Sequence, residues 1–388
     1  MRFLVLGAGR MGYAVSFDLL KNNAVTQVTV VDADERALSK LRTSVKDPRL
    51  AAVQADLSDY EELSYLISGC DVVLSCATYK FNYELAKAAI EAGTHFCDLG
   101  GNEDIVRKQF LLDEMAREGG IAIVPDCGLA PGLVSILAAH ACEQLDELSE
   151  IRLRVGALPL EPKSPLNYAM FSSVEGLINE YVEDVTAIRN GKLLRLPSLQ
   201  DVEEIEFPAP FGKLEAFNTS GGISTLPATF GDRVEHLDYK SIRYPGHCQM
   251  VRMLRDLGLM DIRPLRLGHQ QVRPRAILAT LLERKLRKDE PDAVLVRVSV
   301  AGLKEGERTE IVWELVDYMD EATGLSATMR TTAFPISIIA QMLADGTIRS
   351  RGSLAQETSI PAEPFLNAMK ARGIDLRMSE RKLSKNLA

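Results

Sequence analysis

The first 126 residues alternate without interruption between short apolar runs and amphipathic segments, and that alternation leaves little choice of fold. The runs are Phe3–Leu6, Val28–Val31, Leu50–Gln54, Val72–Ser75, His95–Cys97 and Ile121–Val124, with helical patterning near 11–22, 34–42, 59–67, 81–92 and 102–118. A strand that is apolar on both faces has to be covered on both. Such strands, interleaved with helices, predict a parallel sheet between two helical layers.

Six strands in this order are the complement of a doubly wound, Rossmann-type α/β domain. The first turn supports that reading. Gly7-Ala8-Gly9-Arg10-Met11-Gly12 follows the first strand and opens a helix. Gly7 permits the tight turn, Gly9 lets backbone approach a pyrophosphate, and Gly12 allows close packing of helix on sheet. Arg10 and Met11 place free N–H groups at the positive end of the helix. The second strand ends in Asp32. A carboxylate there accepts the ribose hydroxyls of NAD and repels the 2′-phosphate of NADP, so NAD is the expected cofactor, although Arg36 lies close enough in sequence to tolerate a phosphate. The competing reading of Asp32 is a helix cap. Asp56, after the third strand, either contacts the adenine or caps the next helix, and Cys76-Ala77-Thr78, after the fourth, is small enough to let backbone pass beside the dinucleotide.

Charge and cysteine usage narrow the class further. The net charge of −9 argues against nucleic acid as the main partner. Six scattered cysteines without a C-x-x-C pair predict neither a disulfide framework nor a zinc site, and no histidine pair has ligand spacing, so no metal is expected. No secretory pattern and no membrane-length apolar run is seen, so the expected location is cytoplasmic and away from membranes.

After Val124 the texture changes. Asp126–Gly132 is a turn-rich hinge, and a helix follows over 133–143. Ile151–Ala157, Val294–Ala301 and Thr309–Asp317 alternate as antiparallel strands do, the last two joined by a hairpin around Gly302–Glu307. This predicts an α+β second domain over 127–330, with the acidic run Asp201–Glu206 as a solvated loop or strand face. Helical patterning returns over Ile336–Ala344 and Pro364–Arg372.

Ligands of open α/β sheets bind beyond the carboxyl ends of the strands. Asp98, in Cys97-Asp98-Leu99-Gly100-Gly101, and Asp126, in Pro125-Asp126-Cys127-Gly128, emerge there beside glycine turns. Each is either a site carboxylate or a helix cap.

Three internal motifs then carry a resemblance. Asp126-Cys127-Gly128-Leu129-Ala130-Pro131-Gly132-Leu133, Ser173 through Tyr181, and Ser241-Ile242-Arg243-Tyr244-Pro245-Gly246-His247 are similar to the saccharopine dehydrogenase family, as is the tail from Arg330 to Phe365. The likeness covers nearly the whole chain. It implies a dinucleotide domain of 1–126 with 331–388, whose C-terminal helices return to it, and a substrate and dimerisation domain of 127–330. It also implies a cleft for an amino-acid substrate and a homodimer built through the second domain. Within the family the motifs lie nearest the branch that oxidises the ε-amine of L-lysine with NAD; a saccharopine or carboxynorspermidine dehydrogenase, and an NAD-binding sensor without turnover, stay open.

The chemistry constrains the roles. An alkylammonium, with a pKa of about 10.4, must lose a proton before hydride can leave the adjacent carbon, and the imine product needs an activated water. Asp98, Asp126, Glu103 and His247 are the candidates for those tasks. Arg243 suits a substrate carboxylate, with Tyr244 beside it, and Glu175 or Glu180 suits an ammonium. The competing readings are an ion pair for Arg243 and an exposed helix face for the two glutamates.

Overall fold

The computed structural model describes residues 1–171, 173–286 and 290–383. Two compact units emerge: unit 1 comprises Met1–His140, Ser224–Thr229 and Met329–Leu376, and unit 2 comprises Ala141–Ile223, Phe230–Thr328 and the chain from Arg377. Residues 127–140, the insertion at Ser224 and the final strand therefore fall elsewhere than the division at 126 and 331 expects. Residues 384–388 lie outside the described residues.

Unit 1 is built on the expected parallel sheet. Its strands are β1 (Arg2–Leu6), β2 (Gln27–Asp32), β3 (Leu50–Gln54), β4 (Val72–Ser75), β5 (His95–Asp98) and β6 (Ala122–Val124). They lie in the order β6-β5-β4-β1-β2-β3, so the connection reverses between β1 and β4, the place where such sheets bind dinucleotides. Leu4, Leu6, Val73 and Phe96 are fully buried, which explains the continuous apolar runs. The patterning over 102–118 resolves into two helices, Glu103–Phe110 and Asp113–Glu118. The long C-terminal helix Ala327–Ala344 and the helix Ala362–Ala371 fasten onto the first helix through one buried acid. Asp18 accepts from Ser337 Oγ at 2.6 Å and from Arg372 Nε at 2.8 and 2.9 Å. Removing one partner from such a buried pair costs about 3–5 kcal/mol.

Unit 2 centres on a nine-stranded sheet that includes β7 (Glu147–Pro159), β8 (Val185–Arg189), β9 (Lys192–Leu196), β10 (Glu203–Phe207), β11 (Gly212–Asn218) and β12 (His236–Arg243). A separate hairpin, β13 (Leu265–Leu267) with β14 (Gln270–Val272), precedes β15 (Asp292–Lys304) and β16 (Glu307–Tyr318). The sheet order is β10-β11-β12-β7-β15-β16, with β8 pairing β12 and β9 pairing β8. The expected hairpin of β15 and β16 is present in full register, while β12 runs parallel to β7, a departure from a purely antiparallel sheet.

Several strands lie beyond the sequence reading, among them β8, β9, β11 to β14 and the two that complete the sheets. β17 (Gly352–Ser353) extends the unit 1 sheet beside β6, and β18 (Arg377–Lys382) pairs with β16 in unit 2. The acidic run is also more than a solvated face: Glu203 is bound by Lys240 at 2.8 Å and by Arg154, which in turn holds Asp238 at 2.7 Å. Among the described residues no helix is long and apolar enough to cross a membrane.

Candidate functional site

The glycine loop shows three different reasons for glycine. Gly7 has φ +101, and a Cβ there would lie 3.0 Å from the Cys76 carbonyl oxygen. A Cβ on Gly12 would fall 1.8 Å from the Gly7 carbonyl oxygen. A Cβ on Gly9 would meet nothing within 4 Å. The protein itself therefore does not require glycine at position 9, and the open space lies at the N-terminus of the helix Arg10–Leu20, where free N–H groups favour an anion. The loop fits the pyrophosphate of a dinucleotide.

Asp32 is tied into this loop. Its Oδ2 accepts from the Ala8 N–H at 2.6 Å and its Oδ1 from the Asp34 N–H at 2.8 Å. The next helix is capped by Asp34, so Asp32 is free of that role. Asp56 folds back onto Ser58, accepting from its N–H at 2.9 Å and its Oγ at 2.7 Å, while Asp59 caps the helix that follows. Cys76, Ala77 and Thr78 lie directly after β4, and the Cys76 N–H donates to Leu6 O at 2.8 Å, which sets this turn against the glycine loop.

Beyond the same strand ends, Asp98 and Asp126 do come together. Asp98 terminates β5, is fully buried, and accepts three hydrogen bonds: Gly100 N–H at 2.6 Å, Gln109 Nε2 at 2.6 Å and the Asp126 N–H at 3.3 Å. With both oxygens engaged, Asp98 braces the turn. Asp126 stands at φ 61, in the left-handed region that a non-glycine residue adopts only where its surroundings hold it there. Its Oδ1 occupies the space of the missing Gly100 side chain, a Cβ there falling 1.7 Å away. Its Oδ2 is bonded by Ser224 Oγ. Burial, and then the Asp98 charge, push the Asp126 carboxyl up to about 7, with Glu103 and Glu357 adding to the effect against the Ser224 bond. An acid with that value changes protonation state readily near neutral pH.

Ser224, Gln109 and Glu357 were not foreseen. Glu357 accepts from Thr225 Oγ1 at 2.9 Å and Thr229 Oγ1 at 2.5 Å, so the segment Ser224–Thr229 is fastened at several points. Nothing local in the sequence marks these residues, and Ser224 and Glu357 lie far along the chain from Asp126.

The unit 2 candidates separate. His247 is 1% exposed, with Nδ1 against Leu166 O at 2.8 Å and Nε2 against Tyr181 Oη at 3.0 Å. The carbonyl can only accept, so Nδ1 carries the hydrogen and Tyr181 donates to Nε2. Burial and the Arg243 charge lower the ring's pKa to about 3. His247 is thus a neutral, internally bonded group, which corrects its expected role as a base. Arg243 is 5% exposed, lies over the Tyr168 ring at 4.8 Å, and approaches Glu180 at 3.6 Å. Its Nε has no hydrogen-bond partner.

Tyr244 does not stand beside Arg243. Neighbours along an extended chain point to opposite faces, and the Tyr244 hydroxyl donates to Pro159 O at 2.9 Å on the other side. Glu175 is likewise displaced from its expected role: its side chain is 62% exposed and paired with Arg275 at 2.8 Å. Among the described residues no group of three or more His, Cys, Asp or Glu side chains is placed to hold a metal ion.

Comparison with known proteins identifies the family and the fold. Residues 3–124 match the model of the saccharopine dehydrogenase NADP binding domain, and residues 128–374 that of the saccharopine dehydrogenase C-terminal domain. Carboxynorspermidine synthase of Vibrio cholerae is 25% identical, with 96% of each chain covered. Saccharopine dehydrogenase [NADP(+), L-glutamate-forming] of Saccharomyces cerevisiae is 22% identical over 96% of this chain and 98% of the relative. Bovine mitochondrial alpha-aminoadipic semialdehyde synthase is 23% identical, and there the chain spans only 47% of the relative's length. Among solved structures, the apo saccharopine dehydrogenase of Saccharomyces cerevisiae superposes with a TM-score of 0.80 at 20% identity, covering 99% of this chain and all of that one. A homospermidine synthase of Legionella pneumophila in complex with NAD gives 0.71 at 13% identity, covering 100% and 93%.

Proposed function

The chain belongs to the saccharopine dehydrogenase family, and from that premise we propose that it is an NAD-dependent dehydrogenase of amino-acid amines whose substrate is the ε-amine of L-lysine. The observation that carries the reading is Asp126, a carboxyl poised near neutrality among Asp98, Glu103 and Glu357, beyond the strand ends of the unit that holds the glycine loop.

Four carboxyl groups in one place favour a cation. A bound alkylammonium lowers the cost of ionising Asp126, and Oδ1 then receives the ammonium proton, leaving the neutral amine that oxidation requires. The nicotinamide, when bound, supplies the hydride acceptor. Asp126 then releases that proton to solvent, and the regenerated carboxylate is placed to take a proton from the water that attacks the iminium carbon. Asp98 takes no proton in this scheme; it holds the Asp126 backbone.

The preference for NAD rests on Asp32, whose negative charge beside the glycine loop opposes a 2′-phosphate. For a substrate carboxylate, Arg243 with its unpartnered Nε is the arginine whose surroundings suit it. A homodimer is also proposed, supported by the hairpin of β13 and β14, on which Leu265 and Leu267 are exposed. Sedimentation velocity tests that point directly.

The second reading, favoured by the relatives named above, is a saccharopine or carboxynorspermidine dehydrogenase. Both substrates are secondary amines, and saccharopine also carries further carboxylates. Arg275, one candidate for a second clamp, is already engaged by Glu175 and Asn179, which weighs toward the smaller substrate. The deciding experiment is absorbance at ~340 nm with NAD or NADP and each of L-lysine, saccharopine and carboxynorspermidine. Reduction of NAD by lysine alone supports the proposal. Reduction by saccharopine or carboxynorspermidine alone replaces it, and binding of nucleotide without reduction by any amine points to a sensor.

A further inference from the structure

The segment Ser224–Thr229 belongs to unit 1 although the chain on both sides of it belongs to unit 2. It brings Ser224 Oγ onto Asp126 Oδ2. Both residues are non-glycine and both are left-handed, Ser224 at φ 43 and Asp126 at φ 61. Two such conformations meeting at one hydrogen bond require contacts that hold each side.

Those contacts converge on neighbouring residues. Thr225 and Thr229 both donate to Glu357, and Gln356 Nε2 donates at 2.5 Å to the carbonyl of Pro125, the residue before Asp126. The two ends of the Ser224–Asp126 bond are thus anchored to adjacent positions of the short helix Gln356–Ser359. Among the described residues Asp126 Oδ1 has no hydrogen-bond partner, whereas Oδ2 has Ser224.

We propose that Ser224 is a positioning residue for Asp126: its hydroxyl immobilises Oδ2, so that Oδ1 is the oxygen that exchanges a proton with the amine. Gln356 and Glu357 keep the two partners in register. The inference rests on the acid–base reading of Asp126 given above and adds the group that orients and tunes it. The charged and titratable groups facing Asp126 are Asp98 from the end of β5, Glu103 from the helix Glu103–Phe110, Glu357 from the helix Gln356–Ser359, and the adjoining Cys127 thiol. All become negative on ionisation and oppose the ionisation of Asp126. The Ser224 hydroxyl, by donating, is the group that favours it.

The test is an infrared pH titration of the protonated Asp126 carboxyl band, identified by its loss in Asp126→Asn, and it needs no substrate. Ser224→Ala is expected to move the midpoint upward by ~1 pH unit, because the ionised form loses its donor. Ser224→Thr, which keeps the hydroxyl, is expected to hold the parental midpoint. The paired change Thr225→Val with Thr229→Val, which loosens the anchor, is expected to move it upward as well. An unmoved midpoint in Ser224→Ala, in protein that binds nucleotide with parental affinity, overturns the assignment. Failure of the acid–base reading is seen separately, as turnover of Asp126→Asn with an unchanged pH profile.

Discussion

Asp32 reaches back from the end of β2 to accept the Ala8 N–H at 2.6 Å, so the acid proposed to select the nucleotide also holds the glycine loop. Asp32→Ala should therefore do two things. The Kd for NAD should rise about tenfold or more, from the loss of charge-assisted bonds. Discrimination against NADP should relax, because the charge opposing the 2′-phosphate is gone. Fluorescence titration with both nucleotides checks this, and unchanged discrimination would confine Asp32 to the loop.

The glycine loop offers a contrast between neighbouring positions. Gly9→Ala adds a methyl to open space at an ordinary φ of −67, so the melting temperature should stay near the parental one while nucleotide binding weakens strongly. Gly12→Ala drives a methyl to 1.8 Å from the Gly7 carbonyl oxygen, which is backbone and yields little. That variant should lose about 1–3 kcal/mol of stability or more. Calorimetry beside nucleotide titration separates the two; a Gly9→Ala variant with parental affinity would remove the pyrophosphate from that space.

The parts of the fold that were legible in the sequence are those whose cause is local. Buried parallel strands have to be apolar throughout, so β1 to β6 stood out, as did the long hairpin of β15 and β16. β18 is an edge strand of the sequence Arg377-Met378-Ser379-Glu380-Arg381-Lys382, exposed along its length, and nothing apolar marks it. The break between the helices ending at Phe110 and starting at Asp113 falls at two leucines, without glycine or proline to signal it.

The site followed the same rule. Asp98 and Asp126 were visible because both follow strands of one sheet, and strand ends of one sheet lie together. Ser224 and Glu357 come near Asp126 only through tertiary folding, across 98 residues in the case of Ser224. Tyr244 shows the opposite case, in which proximity along the chain is not proximity in space, and Glu175 lies on an exposed helix face paired with Arg275. The chain leaving β12 is still extended at Arg243, and Tyr244, the next residue, turns to the opposite side.

Asp126 should make the protein's stability depend on pH. Burial and the Asp98 charge hold its folded pKa at about 7, well above the ~3.9 of an unfolded chain. Between those values the folded state keeps a proton that the unfolded state has released, so stability is greatest below the lower value and falls as pH rises through the higher one. Asp126→Asn has no proton to lose. Its melting temperature should fall less steeply from pH ~4 to ~7 and exceed the parental value at pH ~8, while turnover is lost. Burial raises the Asp98 value too, so some slope remains. A parental slope in the variant would show that Asp126 is not the group responsible.

His247 yields the opposite sign. Its folded pKa is about 3, against ~6.5 when unfolded, so the ring is neutral in the native protein throughout the range in which enzymes of this kind are assayed. Its contribution is whole above the unfolded value and is lost as pH falls from ~6.5 toward the folded value, because the unfolded state takes up the proton first. His247→Phe should cost about 1–3 kcal/mol, from the orphaned Tyr181 hydroxyl and Leu166 carbonyl. It should also lose less stability on acidification than the parent, and its kcat should follow the parental pH profile between pH ~5.5 and ~8. A titrating catalytic imidazole would instead delete one limb of that profile. Phenylalanine preserves the ring stacked on Phe217, so a change confined to stability would identify His247 as an internal strut of unit 2.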